Sequence, residues 1–260
     1  ARYEPGTGWG PAEPVAEGAG FGNVQVATRD NGDATIAYIG AGGDGRMVMR
    51  TASAGSGFGA EQLVHDAGAR VSLLDLAVGG DTRTILYDAT PTTFNDDLYA
   101  LRYVAGAWNG PVRLDDTAPM TRSARVVADD TGAARAFWFD AVTGMHHRYA
   151  AAGSAAWGAT ETIALFEVPG TSPNSANASM NIAGGVLGAR EVDDKLYAAQ
   201  YRAGAWSSPQ VIYGDQRGYM TSVMPDIAAS GAGVVQWEFA PWAGDSPDWS
   251  QYSIWANVLR

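Results

Sequence analysis

At 260 residues the chain is long enough to bury one large core without covalent staples, and it has no cysteine, so disulfides, thiolate metal ligands and a thiol nucleophile are excluded. Seventeen basic against twenty-eight acidic residues give a net charge of −11, a field that repels phosphate backbones and argues against nucleic acid as a partner. No stretch approaches the roughly 20 apolar residues of a membrane span.

The elements recur along the chain. Residues 1–16 read as the tail of a strand followed by an aromatic-led strand, WGPAEPV from Trp9. VQVAT, a turn at Asp30-Asn31-Gly32 and a strand ending at Tyr38 come next. The second unit starts with FGAEQLV at Phe58, then LLDLAV, a Gly79-Gly80-Asp81 turn, a strand ending at Tyr87 and Asp88, and LYALRYV. The third runs from WNGPVRL at Trp108 through ARVVA, the Asp130-Thr131-Gly132 turn, ARAFWFD and MHHRYAA. The fourth opens with WGATETI at Trp157 and ends on LYAAQYR, and the fifth opens with WSSPQVI at Trp206 and closes with VVQWEF and YSIWANVLR. The leading aromatics are 49, 50, 49 and 49 residues apart. Glycine in the short turns supplies the positive φ that tight hairpins need, and no helical period competes.

Four strands per repeat of about 49 residues predict an all-β chain, a five-bladed β-propeller forming a single domain over residues 1–260. The chain begins with the end of a repeat and finishes with the first three strands of one. The N-terminal strand is therefore expected to complete the C-terminal blade and close the ring, leaving no open sheet edge. The protein is expected to be a monomer.

The connections from outer to next inner strand, and from second to third strand, differ from repeat to repeat; FAPWAGDSPDWSQ (residues 239–251) is one of them. Variable loops on a regular scaffold are where binding groups sit. Near the ends of the second strands stand Tyr38, Tyr87 with Asp88, Trp138 with Asp140, Arg190 with Glu191, and Trp237 with Glu238. Aromatic faces suit the C–H faces of sugar rings, and acids and arginine suit their hydroxyls. Tyr87, Asp88, Trp138, Arg190 and Trp237 are thus candidate ligand-binding residues, for a saccharide or polysaccharide.

A carbohydrate-active enzyme is the alternative. Asp140, Glu191 and Glu238, with Asp88, are candidates for the carboxylate pair of a glycoside hydrolase. His146 or His147, with Tyr87 and Arg190, could instead perform a lyase β-elimination, a histidine taking the proton. As strand neighbours, the two histidines point to opposite sides of the sheet. A protein-interaction scaffold is a further alternative. No cofactor is expected and no metal-binding residue is assigned. Asp96-Asp97, Asp115-Asp116 and Asp193-Asp194 make Ca²⁺ the one ion to consider.

The WxxPxxL/V segments, each followed by a strand, a glycine or aspartate turn and an aromatic-tipped strand, resemble the secreted propeller repeats of actinobacteria. The blade count and repeat length resemble tachylectin-type five-bladed lectins. The resemblance implies an extracellular carbohydrate-interacting protein. In such lectins near-equivalent sugar sites recur between neighbouring blades, whereas the unequal loops here favour one composite site. The acidity and the single lysine (Lys195) suit a secreted bacterial chain, and the start at Ala1 reads either as a mature start after removal of a leader or as an arbitrary boundary.

Overall fold

The computed structural model describes residues 3–4, 6–12, 14–16, 24–40, 45–89, 97–116, 124–140, 144–163, 176–181, 185–192, 194–214, 218–228, 230–244 and 246–259. The chain divides into two compact units, residues 1–73 and 74–260.

The first unit opens with a small hairpin, β1 (Tyr3–Glu4) against β2 (Gly8–Trp9). The first sheet follows in chain order: β3 (Val24–Thr28), β4 (Ala34–Ile39), β5 (Arg46–Ala52) and β6 (Gln62–Asp66). Ile36, Tyr38 and Val48 form its buried cluster, with Val15, Ala16 and Phe58 packed against them. The Tyr38 hydroxyl donates to Glu61 Oε2 at 2.8 Å.

The second sheet is β7 (Val71–Gly79), β8 (Thr82–Ala89), β9 (Asp97–Val104) and β10 (Ala107–Arg113). The third is β11 (Ala124–Ala128), β12 (Ala134–Asp140), β13 (Gly144–Ala150) and β14 (Glu161–Ile163). In the fourth, β15 (Ala176–Met180), β16 (Val186–Val192) and β17 (Lys195–Arg202) are edged by β18 (Ala205–Trp206) and β19 (Gln210–Tyr213), which share β17 as partner. The fifth has three long strands, β20 (Gly218–Ile227), β21 (Gly233–Ala243) and β23 (Ser253–Leu259), and a two-residue β22 (Ser246–Pro247) paired with the far end of β21. Every pairing is antiparallel. The protein is all-β, and its five sheets, four of four strands and one of five, are the blades of a five-bladed β-propeller.

Within the second unit the first strands of the sheets are neighbours, β11 against β15 and β15 against β20. The Val126 N–H donates to Asp75 Oδ2 at 2.8 Å, and Asn181 Nδ2 donates to the Ala228 carbonyl at 2.9 Å. Strands lying between two sheets are buried on both faces, so alternate residues feed alternate layers of core. Trp138 joins Leu86, Leu98 and Leu114 between the second and third sheets. Phe137, its neighbour in β12, joins Ala178, Val186 and Ala199 between the third and fourth. Trp237 and Phe239 join Leu187, Ala189 and Leu196 between the fourth and fifth.

These layers explain the repeat's leading aromatic. Trp157 packs on the layer between sheets two and three, Trp206 on the layer between three and four, and Phe58 on the core of the first sheet. Each is a large apolar ring on the outer edge of its sheet, Trp206 within β18 and Phe58 and Trp157 in the segments leading into β6 and β14, where it covers the rim of a core layer. Gly132 shows why the turn residue is fixed. Its φ is 84°, and a Cβ there would lie 2.5 Å from Thr82 Oγ1 on the neighbouring sheet.

Candidate functional site

Most of the polar and aromatic residues singled out in the sequence are built into the sheets. Tyr87 is 2% exposed and stacks on Tyr99 at 5.5 Å, and burial raises its phenol. Trp138 and Trp237 are also 2% exposed, so neither presents a ring face on which a sugar could stack. At these ends of the second strands the neighbouring sheets still overlap, and the indoles fill the layer between them. Asp88 pairs with Leu98 in the β8–β9 ladder.

Arg190 is buried at 2% exposure, paired with Ala176 and Tyr197 across its sheet, and burial lowers its hold on its proton. Glu191 is buried too, and its Oε1 accepts the Asp194 N–H at 3.2 Å, fixing the β16–β17 turn. Asp140 pairs with Gly144 at the end of the β12–β13 ladder, and its side chain lies outside the described residues. Asp88, Asp140, Glu191 and Glu238 belong to four different sheets.

The histidines point to opposite sides of β13, as strand alternation requires. His146 stacks on Trp138 at 5.7 Å, and its Nδ1 lies 3.0 Å from Thr162 Oγ1. His147 is 1% exposed, against Phe137, Tyr201 and Trp206. Its Nδ1 lies 3.4 Å from Arg135 Nη1 and its Nε2 3.4 Å from Glu161 Oε2. Arginine can only donate, so Nδ1 is the acceptor and the ring proton sits on Nε2, toward Glu161. Burial, then the Arg135 charge, then His146 push the imidazole down to about 4. A ring so enclosed is a core residue and does not serve as a general base for a substrate.

Two of the three acidic runs carry arginine as counter-charge. Arg113 lies 2.7 Å from Asp97 and 3.1 Å from Asp115, and Arg148 lies 2.6 Å from Asp116. Burial raises the Asp115 carboxyl despite Arg113, whereas the Arg148 bond lowers Asp116. Guanidinium groups thus stand at Asp97, Asp115 and Asp116, and among the described residues no cluster of three or more His, Asp or Glu is arranged to hold a metal. Asp96 and Asp193 lie outside the described residues, as do most of the variable connections: residues 17–23, 41–44, 90–96, 117–123, 141–143, 164–175 and 215–217.

One variable connection is described almost whole, and it forms a polar and aromatic surface. β20 and β21 run to 10 and 11 residues, where the corresponding β11 and β12 have 5 and 7. The extra length pairs Gly218 with Pro241 and Tyr219 with Ala240, and carries the chain on to β22. The Asp248 N–H then donates to the Pro241 carbonyl at 2.7 Å, closing the hairpin. Asp248 caps a single 3-10 turn, Trp249–Gln251, accepting from Ser250 N at 3.0 Å, Ser250 Oγ at 2.6 Å and Gln251 Nε2 at 2.8 Å. These bonds to the charged form hold its carboxyl below the usual range.

That turn presents Trp249, 58% exposed, edge-on to Tyr219 at 5.7 Å and tilted against Tyr252 at 6.4 Å. The Tyr252 hydroxyl bonds the Glu238 carboxylate, which raises its phenol, and Ser222 Oγ donates to Glu238 Oε2 at 2.5 Å. Of the sequence candidates only Glu238 belongs to this group. Trp249 lay within the segment quoted as a variable loop, but nothing in the sequence separates it from Trp242 seven residues earlier, which is partly buried.

No protein-family model matches this chain, and no curated protein matches it. Solved structures do. The fungal lectin of Aleuria aurantia, a six-bladed β-propeller with a fucose recognition mode, matches at 12% identity and a TM-score of 0.51, over 91% of this chain and 78% of that one. The BP39L lectin from Burkholderia pseudomallei matches at 16% identity and a TM-score of 0.55, over 88% of this chain and 70% of that one. The polysaccharide lyase Uly1 matches at 13% identity and a TM-score of 0.52, over 90% of this chain and 57% of that one. At these identities the likeness is one of fold, found in lectins and in a lyase alike.

Proposed function

We propose that the protein is an extracellular saccharide-binding β-propeller and that the Trp249 surface of the fifth sheet is its binding site. The observation that carries this reading is the exposed indole of Trp249, held between Tyr219 and Tyr252, the latter bonded to the Glu238 carboxylate. Sugar rings have apolar C–H faces and polar rims, so an aromatic platform with a carboxylate and hydroxyls at its edge matches them chemically. The propeller lectins of the same fold support it as an analogy. The buried state of His147 and the commitment of Glu191 to a turn weigh against the hydrolase and lyase readings on the residues first considered for them.

The test is binding to a dense array of neutral glycans, beginning with α-methyl-L-fucoside, the ligand held by a variant of the Aleuria lectin. Saccharide binding by the wild type, lost in Trp249→Ala with the fold intact, is the expected result. Binding that survives Trp249→Ala would move the site elsewhere, and an array without any bound glycan would refute the reading.

A further inference from the structure

Among the described residues four that are not glycine hold a left-handed backbone: Ala105, Asp194, Ala203 and Ser222. Ala105, Asp194 and Ala203 lie in the connections β9–β10, β16–β17 and β17–β18. Tight hairpin turns demand positive φ there, because only that twist matches the flanking strands. Ser222 is different. Its φ is 49°, and it lies inside β20, where the register against β21 slips between Thr221 and Met224. This is a β-bulge, a device that re-aims a side chain at the cost of a ladder position. A left-handed backbone is costly for serine and free for glycine. Strain of this kind persists where it serves a site.

The gain is the position of one hydroxyl. Ser222 Oγ reaches Glu238 Oε2, and the Tyr252 hydroxyl reaches the same carboxylate. Tyr252 in turn lies against Trp249. Two hydroxyls and a carboxylate thus stand together, and the ring of one of them, Tyr252, lies against the exposed indole of Trp249. The carboxylate accepts only, while each hydroxyl both donates and accepts. That set is complementary to two adjacent sugar hydroxyls, one donating to the carboxylate, the other accepting from serine or tyrosine while donating onward.

We propose that the bulge at Ser222 is the specificity device of this surface, and that its ligand class is a neutral pyranose with two adjacent free hydroxyls, read by Ser222, Glu238 and Tyr252 while its apolar face rests on Trp249. The inference depends on the reading that this surface binds saccharide, and goes beyond it by naming the residues that choose the sugar and the feature they choose.

Two substitutions test it. Ser222→Gly removes the hydroxyl and the backbone strain together. Ser222→Ala removes the hydroxyl and keeps the strain. The probes are the methyl glycosides of L-fucose, D-mannose, D-galactose and N-acetyl-D-glucosamine, each displayed on a dense array and titrated in solution, with thermal unfolding followed in parallel. For a glycoside that the wild type binds, both variants should weaken affinity about tenfold, the loss of one hydrogen bond to a charged group. Ser222→Gly should at the same time raise Tm by roughly 2 °C, while Ser222→Ala should not. A merely structural serine would not move affinity and Tm in opposite directions. Unchanged affinity in both variants, for a glycoside that the wild type binds, overturns the inference and leaves the saccharide reading standing. A wild type that binds none of the four while binding another glycan of the array also overturns the inference, and one that binds no glycan at all overturns the saccharide reading with it.

Discussion

The guanidinium of Arg102, on the third strand of the second sheet, donates through Nη2 to the carbonyl of Gly132, in the turn of the third sheet, at 3.0 Å. The same group donates to the carbonyls of Ser154 at 2.9 Å and Ala151 at 3.3 Å and to Thr84 Oγ1 at 3.2 Å, and its Cζ lies 5.5 Å from the centre of the Trp157 ring. Arg202 bonds the carbonyl of Gly231 in the same way between the fourth and fifth sheets. Turn carbonyls that face a neighbouring sheet have no strand partner, and an arginine supplies several donors in one rigid plane.

Arg102→Met therefore keeps the apolar stem and removes every donor. With the guanidinium gone, buried carbonyls are left unsatisfied, and the variant should lose about 3 kcal/mol of stability. Urea unfolding measures it. A loss below about 1 kcal/mol would show that these bonds join the sheets only weakly.

Gly132 is the other half of that contact. Alanine there must hold φ near 84° and place its Cβ against Thr82 Oγ1. Gly132→Ala is expected to cost roughly 2 kcal/mol, the sum of left-handed strain and local overpacking. Introduced into Thr82→Ala, which lacks both the Oγ1 and the methyl that the new Cβ meets, Gly132→Ala should cost less than it does in the wild type. An equal cost in both would assign the loss to the backbone alone.

The repeat was legible because it is written in large residues at fixed spacing. Trp157, Trp206 and Phe58 cap core layers, so spacing alone revealed the blades. Strand alternation likewise separated His146 from His147 correctly. What it could not tell is where a core layer ends. Trp138, Trp237 and Tyr87 sit at strand ends and look like a rim, yet each is covered. Conversely, Trp249 is exposed because Asp248 caps a turn and Pro241 accepts a backbone bond, and the Ser222 bulge lacks the glycine that would announce it. These are matters of register, which short polar segments specify only weakly.

His147 sets a pH dependence of stability. Its imidazole is held down at about 4 in the folded chain, against an ordinary value of 6.5. Between those values the unfolded chain binds a proton that the folded chain refuses. Its contribution is therefore intact above pH 6.5 and declines as the pH falls toward 4, by about 3 kcal/mol in all. Asp75 and Asp115, whose carboxyls burial raises, act in the opposite sense. The decisive comparison is thus between wild type and His147→Gln, unfolded in urea at pH 7, 5.5 and 4. The variant should lose less stability than the wild type between pH 7 and 4. An equal loss in both would mean that His147 titrates normally.

Trp237 and Trp249 lie twelve residues apart and should respond oppositely to truncation. Trp237 is 2% exposed, packed against Leu187, Ala189 and Leu196, with Tyr213 at 5.4 Å. Replacing it with alanine removes a buried indole and leaves a cavity between two sheets, at a cost of about 3–5 kcal/mol. Trp249 stands on a surface turn whose cap, Asp248, does not involve the indole. Trp249→Ala should leave unfolding within about 0.5 kcal/mol of wild type. Glycan binding should divide the other way, lost in Trp249→Ala and retained by whatever fraction of Trp237→Ala remains folded. If Trp249→Ala instead unfolds the protein, the indole is part of the fold and not a platform held out for a ligand.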